Sequence, residues 1–373
     1  MFDAPPFWMY LAGFLLLLGP LVTVHELGHL LVGRWFGVKA EAFSVGFGRE
    51  IAGFTDKRGT RWKLSLLPLG GYVQFAGDMN PASVPDANAP HEDGNFQNAA
   101  LWKRALIVAA GPVTNLMLTI AIFAAFFAIF GKPTIAGEED SRTVGGFSET
   151  SVARAAGLAV GDTITAIDGS PIADFEQLKR AVMLNPGKAI VLSVERDGAQ
   201  LDFPLTIARK TETDQFGNAS AIGQIGVAPA GGQYVLEEVS VLAAVPLAVR
   251  QSGELMGLML TGIKQIVVGD RSIKELGGPI KIAKYSGEQM SLGVLAFVNF
   301  AALISLNLAF INFLPIPALD GGHLMFYAVE AVRRKPLGPQ ATEWAYRTGI
   351  GLVLMFMAVV TVNDVVSLPI FAR

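Results

Sequence analysis

No cysteine occurs among the 373 residues. Disulfides, thiolate metal sites and a cysteine nucleophile are excluded together, and the redox compartment stays undecided. Charge is scarce too: 16% of residues are charged against 51% hydrophobic, and the mean hydropathy is +0.45. A soluble chain carries about 25% charged residues, so this one lacks the polar side chains that a water-facing surface needs. Basic excess is also missing. A net charge of −3 and a pI near 5.9 leave no positive field to attract nucleic acid, and no nucleic-acid partner is expected. Histidine is rare, with four in the whole chain, so any pair of them carries weight.

Long apolar runs are abundant. Four are long enough for a hydrocarbon core of about 30 Å, which needs about 20 helical residues: Pro6 to Phe36, Leu101 to Phe130, Leu292 to Leu314 and Trp344 to Leu368. A fifth run, Val241 to Val268, is interrupted by Arg250, Glu254 and Lys264, which predicts an amphipathic helix on the membrane surface. The first run has no basic flank before it and no small-residue cleavage site, so it is expected to be a retained span.

Basic residues set the orientation. Arg34, Lys39, Arg49, Lys57, Arg58, Arg61 and Lys63 lie between spans one and two, and Arg333, Arg334 and Lys335 between three and four. Both loops are therefore expected in the cytoplasm. Both termini and the segment from 131 to 291 then face outward, which in a bacterium is the periplasm.

Inside the first span stands His25-Glu26-Leu27-Gly28-His29, an HExxH pattern. Residues i and i+4 share one helix face, so both imidazoles can bind a single Zn²⁺. Glu26 is turned by about 100° from His25, beside the metal, where it can take a proton from water and return it to a leaving amine. The alternative is a simple core histidine pair. Three ionisable residues in a membrane span are costly unless partnered, which favours the metal. At 1.5 Å per residue the site lies about 15 Å from the basic flank, within the bilayer.

A catalytic zinc site takes three protein ligands and keeps one position open. His91 lies in a Pro/Asn/Asp-rich loop, and His323 follows the run Asn312-Phe-Leu-Pro315-Ile-Pro317-Ala-Leu-Asp320-Gly-Gly. The two prolines predict a helix break near membrane depth, tolerated only if buried in protein or lining a wet cavity. Asp320 reads either as an N-cap after the proline stop or as the third ligand. Beside an intramembrane HExxH the ligand reading is preferred.

HELGH in span one and NFLPIPALDGG near the end of span three resemble the site-2 protease family of intramembrane zinc metalloproteases. In order and spacing they are most similar to its bacterial RseP-type (regulator of sigma-E) branch, over nearly the whole chain. The resemblance implies zinc on His25, His29 and Asp320, with Glu26 catalytic. It also implies that Asn307, Asn312, Pro315 and Pro317 lie near the substrate. Gly111-Pro-Val-Thr-Asn115 resembles the family's GPxxN element, and Gly278-Pro-Ile280 its GPI element. Implied substrates are single-span membrane proteins, such as trimmed anti-sigma factors or remnant signal peptides.

The middle region is charged and rich in glycine turns. Its spacing, Ala156-Gly-Leu158, Gly161-Asp162, Ile164, Ile167 and Gly169, resembles a circularly permuted PDZ domain. There is room for one such domain where the best-known member of the branch has two. Such a groove receives a peptide C-terminus as an added strand, with Val144-Gly-Gly-Phe147 expected as the loop facing the carboxylate; alternatively the domain adds bulk only. Between spans one and two, alternation over Ala42 to Ile51, Trp62 to Leu67 and Gly71 to Phe75 predicts β-hairpins. The resemblance implies a membrane-associated sheet whose edge meets the substrate; a plain cytoplasmic hairpin is the alternative.

The expected fold class is thus a mainly α polytopic membrane protein with four transmembrane helices, a membrane-associated β-hairpin element and one α+β PDZ domain. The expected segments are span one (1–36), hairpin region and loop (37–99), span two (100–131), PDZ domain (134–230), amphipathic helix and linker (238–291), span three (292–323) and span four (344–369). Rival functions are an ion or metal transporter, against which no internal repeat is evident, and a non-catalytic PDZ scaffold.

Overall fold

The computed structural model describes residues 5–77, 93–135, 142–213, 219–230, 234–269, 276–335 and 337–366. His91 and part of the loop before span two lie outside them. The chain forms two compact units, one within Phe126–Ser240 and one built from Pro5–Ala125 with the segment from Val241 onward.

In the larger unit, helix α1 (Phe7–Trp35) is followed by strands β1 (Ala40–Thr55) and β2 (Arg61–Phe75), then a short 3₁₀ turn and helix α2 (Leu101–Phe130). The smaller unit follows, with β3 (Lys132–Ile135), β4 (Val144–Phe147), α3 (Val152–Ala155), β5 (Thr163–Ile167), β6 (Ser170–Pro171), α4 (Phe175–Met183), β7 (Ala189–Arg196), β8 (Ala199–Thr206), β9 (Ala208–Thr213), β10 (Ala219–Gln224), β11 (Val227–Pro229) and β12 (Tyr234–Glu237). Five helices complete the larger unit: α5 (Val241–Val268), α6 (Pro279–Ser291), α7 (Val294–Phe313), α8 (Asp320–Arg333) and α9 (Pro339–Val366).

Among the described residues, four helices are long and apolar enough to cross a membrane: Phe7–Trp35, Leu101–Phe130, Val294–Phe313 and Gln340–Val366. They fall on the four apolar runs. The expected third segment, 292–323, is divided: α7 ends at Phe313 and α8 begins at Asp320. The break contains Pro315 and Pro317, which cannot donate backbone bonds, and Ala318 at φ +84°. Gly321, Gly322 and Gly349 allow it to fold tightly, since a Cβ on any of them would meet backbone atoms of Phe313 to Pro317.

The expected linker up to 291 contains helix α6, which packs across α1. A Cβ on Gly13 would lie 2.8 Å from the Ser286 carbonyl carbon, and one on Gly287 would lie 2.8 Å from Tyr10 Cα. Small residues at a crossing let helix backbones approach where lipid offers no hydrophobic drive. The first turn of α6 is held by Asp364 of α9, whose carboxylate accepts from the N–H groups of Gly278 at 3.1 Å and Lys281 at 3.0 Å. Periodicity could not reveal this helix, because its contacts depend on glycines and on a cap distant in sequence.

Strands β1 and β2 curl on each other. Ala42–Val45 has Arg61–Leu64 on one side and Gly71–Gln74 on the other, while Ala52–Thr55 pairs with Arg61–Leu64. Among the described residues Gly71–Phe75 therefore pairs on one side only, as a sheet edge. The β1–β2 turn is tied to the end of α1, because Arg34 reaches both Asp56 and the Thr60 hydroxyl.

The smaller unit centres on a four-stranded antiparallel sheet in the order β6-β5-β7-β8. Two of its connections are tight turns, Asp168-Gly169 and Asp197-Gly198, with both φ angles positive in each, as a two-residue hairpin requires. Ile164, Leu178, Leu192 and Val194 are fully buried in its core. Val144 to Phe147, expected as a loop facing a carboxylate, is instead strand β4 paired with β11, and Val144 is buried in that core.

Candidate metal centre

The site is assembled by α1, α2 and the start of α8. His25 and His29, one turn apart on α1, are buried. Their Nε2 atoms face each other at 3.2 Å. Asp320 Oδ2 lies 3.1 Å from His25 Nε2 and 3.6 Å from His29 Nε2. Asp320 is the first residue of α8, with Leu319 at the N-cap position and no side-chain cap bond. The N-cap alternative is therefore not adopted.

Helix α2 forms the wall behind the imidazoles. A Cβ on Gly111 would fall on the Nε2 atoms of both histidines, and a Cβ on Gly28 would run into Thr114 and the Ala110 carbonyl. Only glycine at both points lets α1 and α2 approach this closely while leaving space between the rings. Arg104 of α2 pairs with Glu330 of α8 at 3.0 Å and sits over the Tyr327 ring, holding α8 against α2.

The donor chemistry fits a divalent metal. His29 Nδ1 lies 2.8 Å from the Ile107 carbonyl, which can only accept, so Nδ1 carries the proton and Nε2 presents a lone pair. Asp320 Oδ2 is buried with no hydrogen-bond partner among the described residues. Ligand distances of about 2.0–2.2 Å in a tetrahedral site set ligand atoms roughly 3.3–3.6 Å apart, close to the separations found here. Lone pairs converging in a buried space repel one another unless a cation lies among them, and these three residues are a group able to hold one.

Glu26 stands beside this cluster rather than in it. Its Oε2 accepts a hydrogen bond from the Val73 N–H at 3.1 Å, on the edge segment of β2. The remaining expected site residues supply no donor to the cluster. Asn307 and Asn312 are half-buried in α7, while Pro315 is exposed and Pro317 half-buried in the break. His323 lies on α8 outside the donor group, its ring 6.2 Å from that of Tyr346. Three contributors carried no sequence signal for the roles they take: the Val73 N–H, the Ile107 carbonyl and the bare backbone at Gly111.

Two histidines and a carboxylate converging among membrane-length helices, with an acid at their side, define an intramembrane metalloprotease. The family model described as "Peptidase family M50" matches residues 13–356. Over 367 residues the chain is 44% identical to "Putative zinc metalloprotease Atu1380" of Agrobacterium fabrum, covering 96% of each. It is 44% identical to "Putative zinc metalloprotease R01501" of Rhizobium meliloti, over 94% of this chain and 95% of that one. With "Metalloprotease MmpA" of Caulobacter vibrioides it shares 33% identity, over 98% and 97%. The chain belongs to peptidase family M50.

Proposed function

We propose that this protein is an RseP-type intramembrane zinc metalloprotease that hydrolyses peptide bonds in or beside the transmembrane helix of single-span membrane proteins. The observation that carries this reading is the convergence of His25 Nε2, His29 Nε2 and Asp320 Oδ2. These three side chains hold the zinc. When bound, zinc supplies a Lewis acid that acidifies water and polarises a carbonyl oxygen.

The chain's own residues do the rest. Glu26 takes the proton of the attacking water and delivers it to the leaving amine. A transmembrane substrate hides its carbonyls in i→i−4 hydrogen bonds, so it must unwind before cleavage. Each backbone group then left unpaired in lipid costs several kcal/mol. The one-sided pairing of Gly71–Phe75 and the amide of Asn312 offer replacement bonds. Asn307, Pro315 and Pro317 shape the place where the unwound segment lies.

Residues 134–230 form a single PDZ domain, a reading supported by the antiparallel sheet flanked by α4 and by the Gly-Asp and Asp-Gly turns. Its role is to receive a substrate's new C-terminus or to exclude untrimmed proteins. Helix α5 lies on the membrane surface, as its exposed Leu242, Val249 and Leu260 beside Arg250 and Lys264 suggest. The basic loops support a bacterial inner-membrane orientation with the PDZ domain and both termini in the periplasm. Trimmed anti-sigma factors and remnant signal peptides are the substrate classes.

The test is one incubation of purified protein with a single-span test peptide, with and without a zinc chelator. Cleavage that stops with chelator and returns with zinc is expected. An uncut peptide under zinc-replete conditions overturns the proposal.

A further inference from the structure

Asn115 of α2 is wholly buried. Its main-chain carbonyl is already engaged, accepting from the Ser305 hydroxyl at 2.9 Å and the Thr119 hydroxyl at 3.1 Å. Its side chain faces His25: Nδ2 lies 3.4 Å from His25 Nδ1, while Oδ1 is buried with no partner among the described residues.

The two imidazoles are thus held differently. His29 Nδ1 meets a carbonyl, which fixes its proton there and leaves Nε2 free to ligate. A His25 that ligates through Nε2 must likewise carry its proton on Nδ1, and that N–H can meet only an acceptor. An amide nitrogen in that place sets donor against donor. A half-turn about the Cβ–Cγ bond of Asn115 exchanges its oxygen and nitrogen with little change in shape. It brings the orphan Oδ1 onto the His25 Nδ1–H and relieves the donor–donor conflict at that ring.

We infer that Asn115 is the positioning residue of His25: in the metal-loaded protein its side-chain oxygen accepts the His25 Nδ1–H, as the Ile107 carbonyl does for His29. This rests on the proposed reading of His25 as a zinc ligand. It gives the asparagine of the Gly111–Asn115 element a job of its own, setting the tautomer and angle of one ring from a neighbouring helix.

The test measures zinc affinity by equilibrium competition with a chromogenic chelator, on full-length Asn115→Leu, Asn115→Asp and the unaltered protein. Leucine has the volume but no acceptor, and aspartate has an acceptor at both positions and no donor. Loss of an outer-shell partner costs about 10–100-fold in metal affinity, so that loss is expected for Asn115→Leu. Asn115→Asp is expected to stay within about threefold of the parent or to bind more tightly. A protein in which Asn115 serves packing alone would show both variants weakened together.

Circular dichroism melting of the chelator-treated proteins separates a folding defect from a binding defect. Should Asn115→Leu not fold, the Asn115→Asp affinity still decides, because an Asn115→Asp protein that binds zinc about tenfold or more weakly than the parent overturns the inference. Asn115→Leu binding as tightly as the parent also overturns it. A parent that binds no zinc, or that keeps its zinc in His25→Ala, defeats the reading of the metal site instead, which is a different failure.

Discussion

The Glu26 carboxylate accepts a hydrogen bond from the backbone N–H of Val73 at 3.1 Å, so the acid beside the histidine pair is docked on the edge of the β1–β2 sheet. One oxygen is thereby fixed, and the proposed base and the proposed substrate edge share a backbone contact. Glu26→Gln keeps the shape and can keep the Val73 bond through its amide oxygen, but it cannot take up a proton. Cleavage is expected to fall by about 10²–10⁴-fold, with zinc content by elemental analysis near that of the parent. An active Glu26→Gln protein would sink the proton-transfer role.

Asp320 occupies a different position in the chemistry. Its Oδ2 lies within 3.6 Å of both imidazole Nε2 atoms and has no other partner. Asp320→Ala is expected to lose zinc as well as activity. Elemental analysis beside the Glu26→Gln protein gives the contrast: inactive and loaded against inactive and empty. Equal zinc in both would remove Asp320 from the ligand set.

Gly111 is the floor under the two rings. Its hypothetical Cβ falls on the Nε2 atoms of both histidines, and the backbone wall behind it cannot retreat without separating α1 from α2. Gly111→Ala is therefore expected to abolish zinc retention although it removes no ligand, while the chain still enters the membrane. Chelator competition on the solubilised protein checks this, and parental affinity in Gly111→Ala would contradict the packing described.

A pH dependence resides in the smaller unit. Asp162 is buried, accepts from Arg196 Nε at 2.6 Å and Nη2 at 2.8 Å, and accepts from the Ala159 N–H at 2.8 Å. The Arg196 hydrogen bonds, ahead of the opposing effect of burial, hold its carboxyl below the ordinary range. With the folded value depressed, the stabilisation is complete above the unfolded value, near pH 4. It fades as pH falls through the lower folded value. Asp162→Asn is expected to cost about 1–3 kcal/mol near neutrality, a deficit constant from about pH 5 to 8 that shrinks below about pH 4. Hydrogen exchange at Ile164 and Val194 amides against pH measures it; a deficit unchanged into acid would mean that the Asp162 charge contributes nothing.

Much of this was written in local patterns. Four apolar runs became four membrane-length helices because length and hydropathy are properties of a segment on its own. HExxH placed two rings on one face through helical period alone. The two prolines before Asp320 foretold a break, since neither can donate a backbone hydrogen bond. Less legible were α6 and α8. The first depends on Gly13 of α1 and Gly287 of α6 letting the two backbones meet and on a cap supplied by Asp364. The second is held by Arg104 and Glu330, which meet only in three dimensions. Val144 to Phe147, expected as a carboxylate-facing loop from the PDZ resemblance, is strand because it pairs with β11.

The order of residues along the chain thus determined which groups are the candidates for chemistry and on which helix each one rides, because helical spacing and the aversion of lipid to charge operate within a few turns. Tertiary structure alone decided which lone pairs converge, which glycine leaves the space for them, and which backbone N–H or carbonyl orients each ring and carboxylate. Those are contacts between segments far apart in the chain, set by how closely helices pack, and no local pattern encodes that distance.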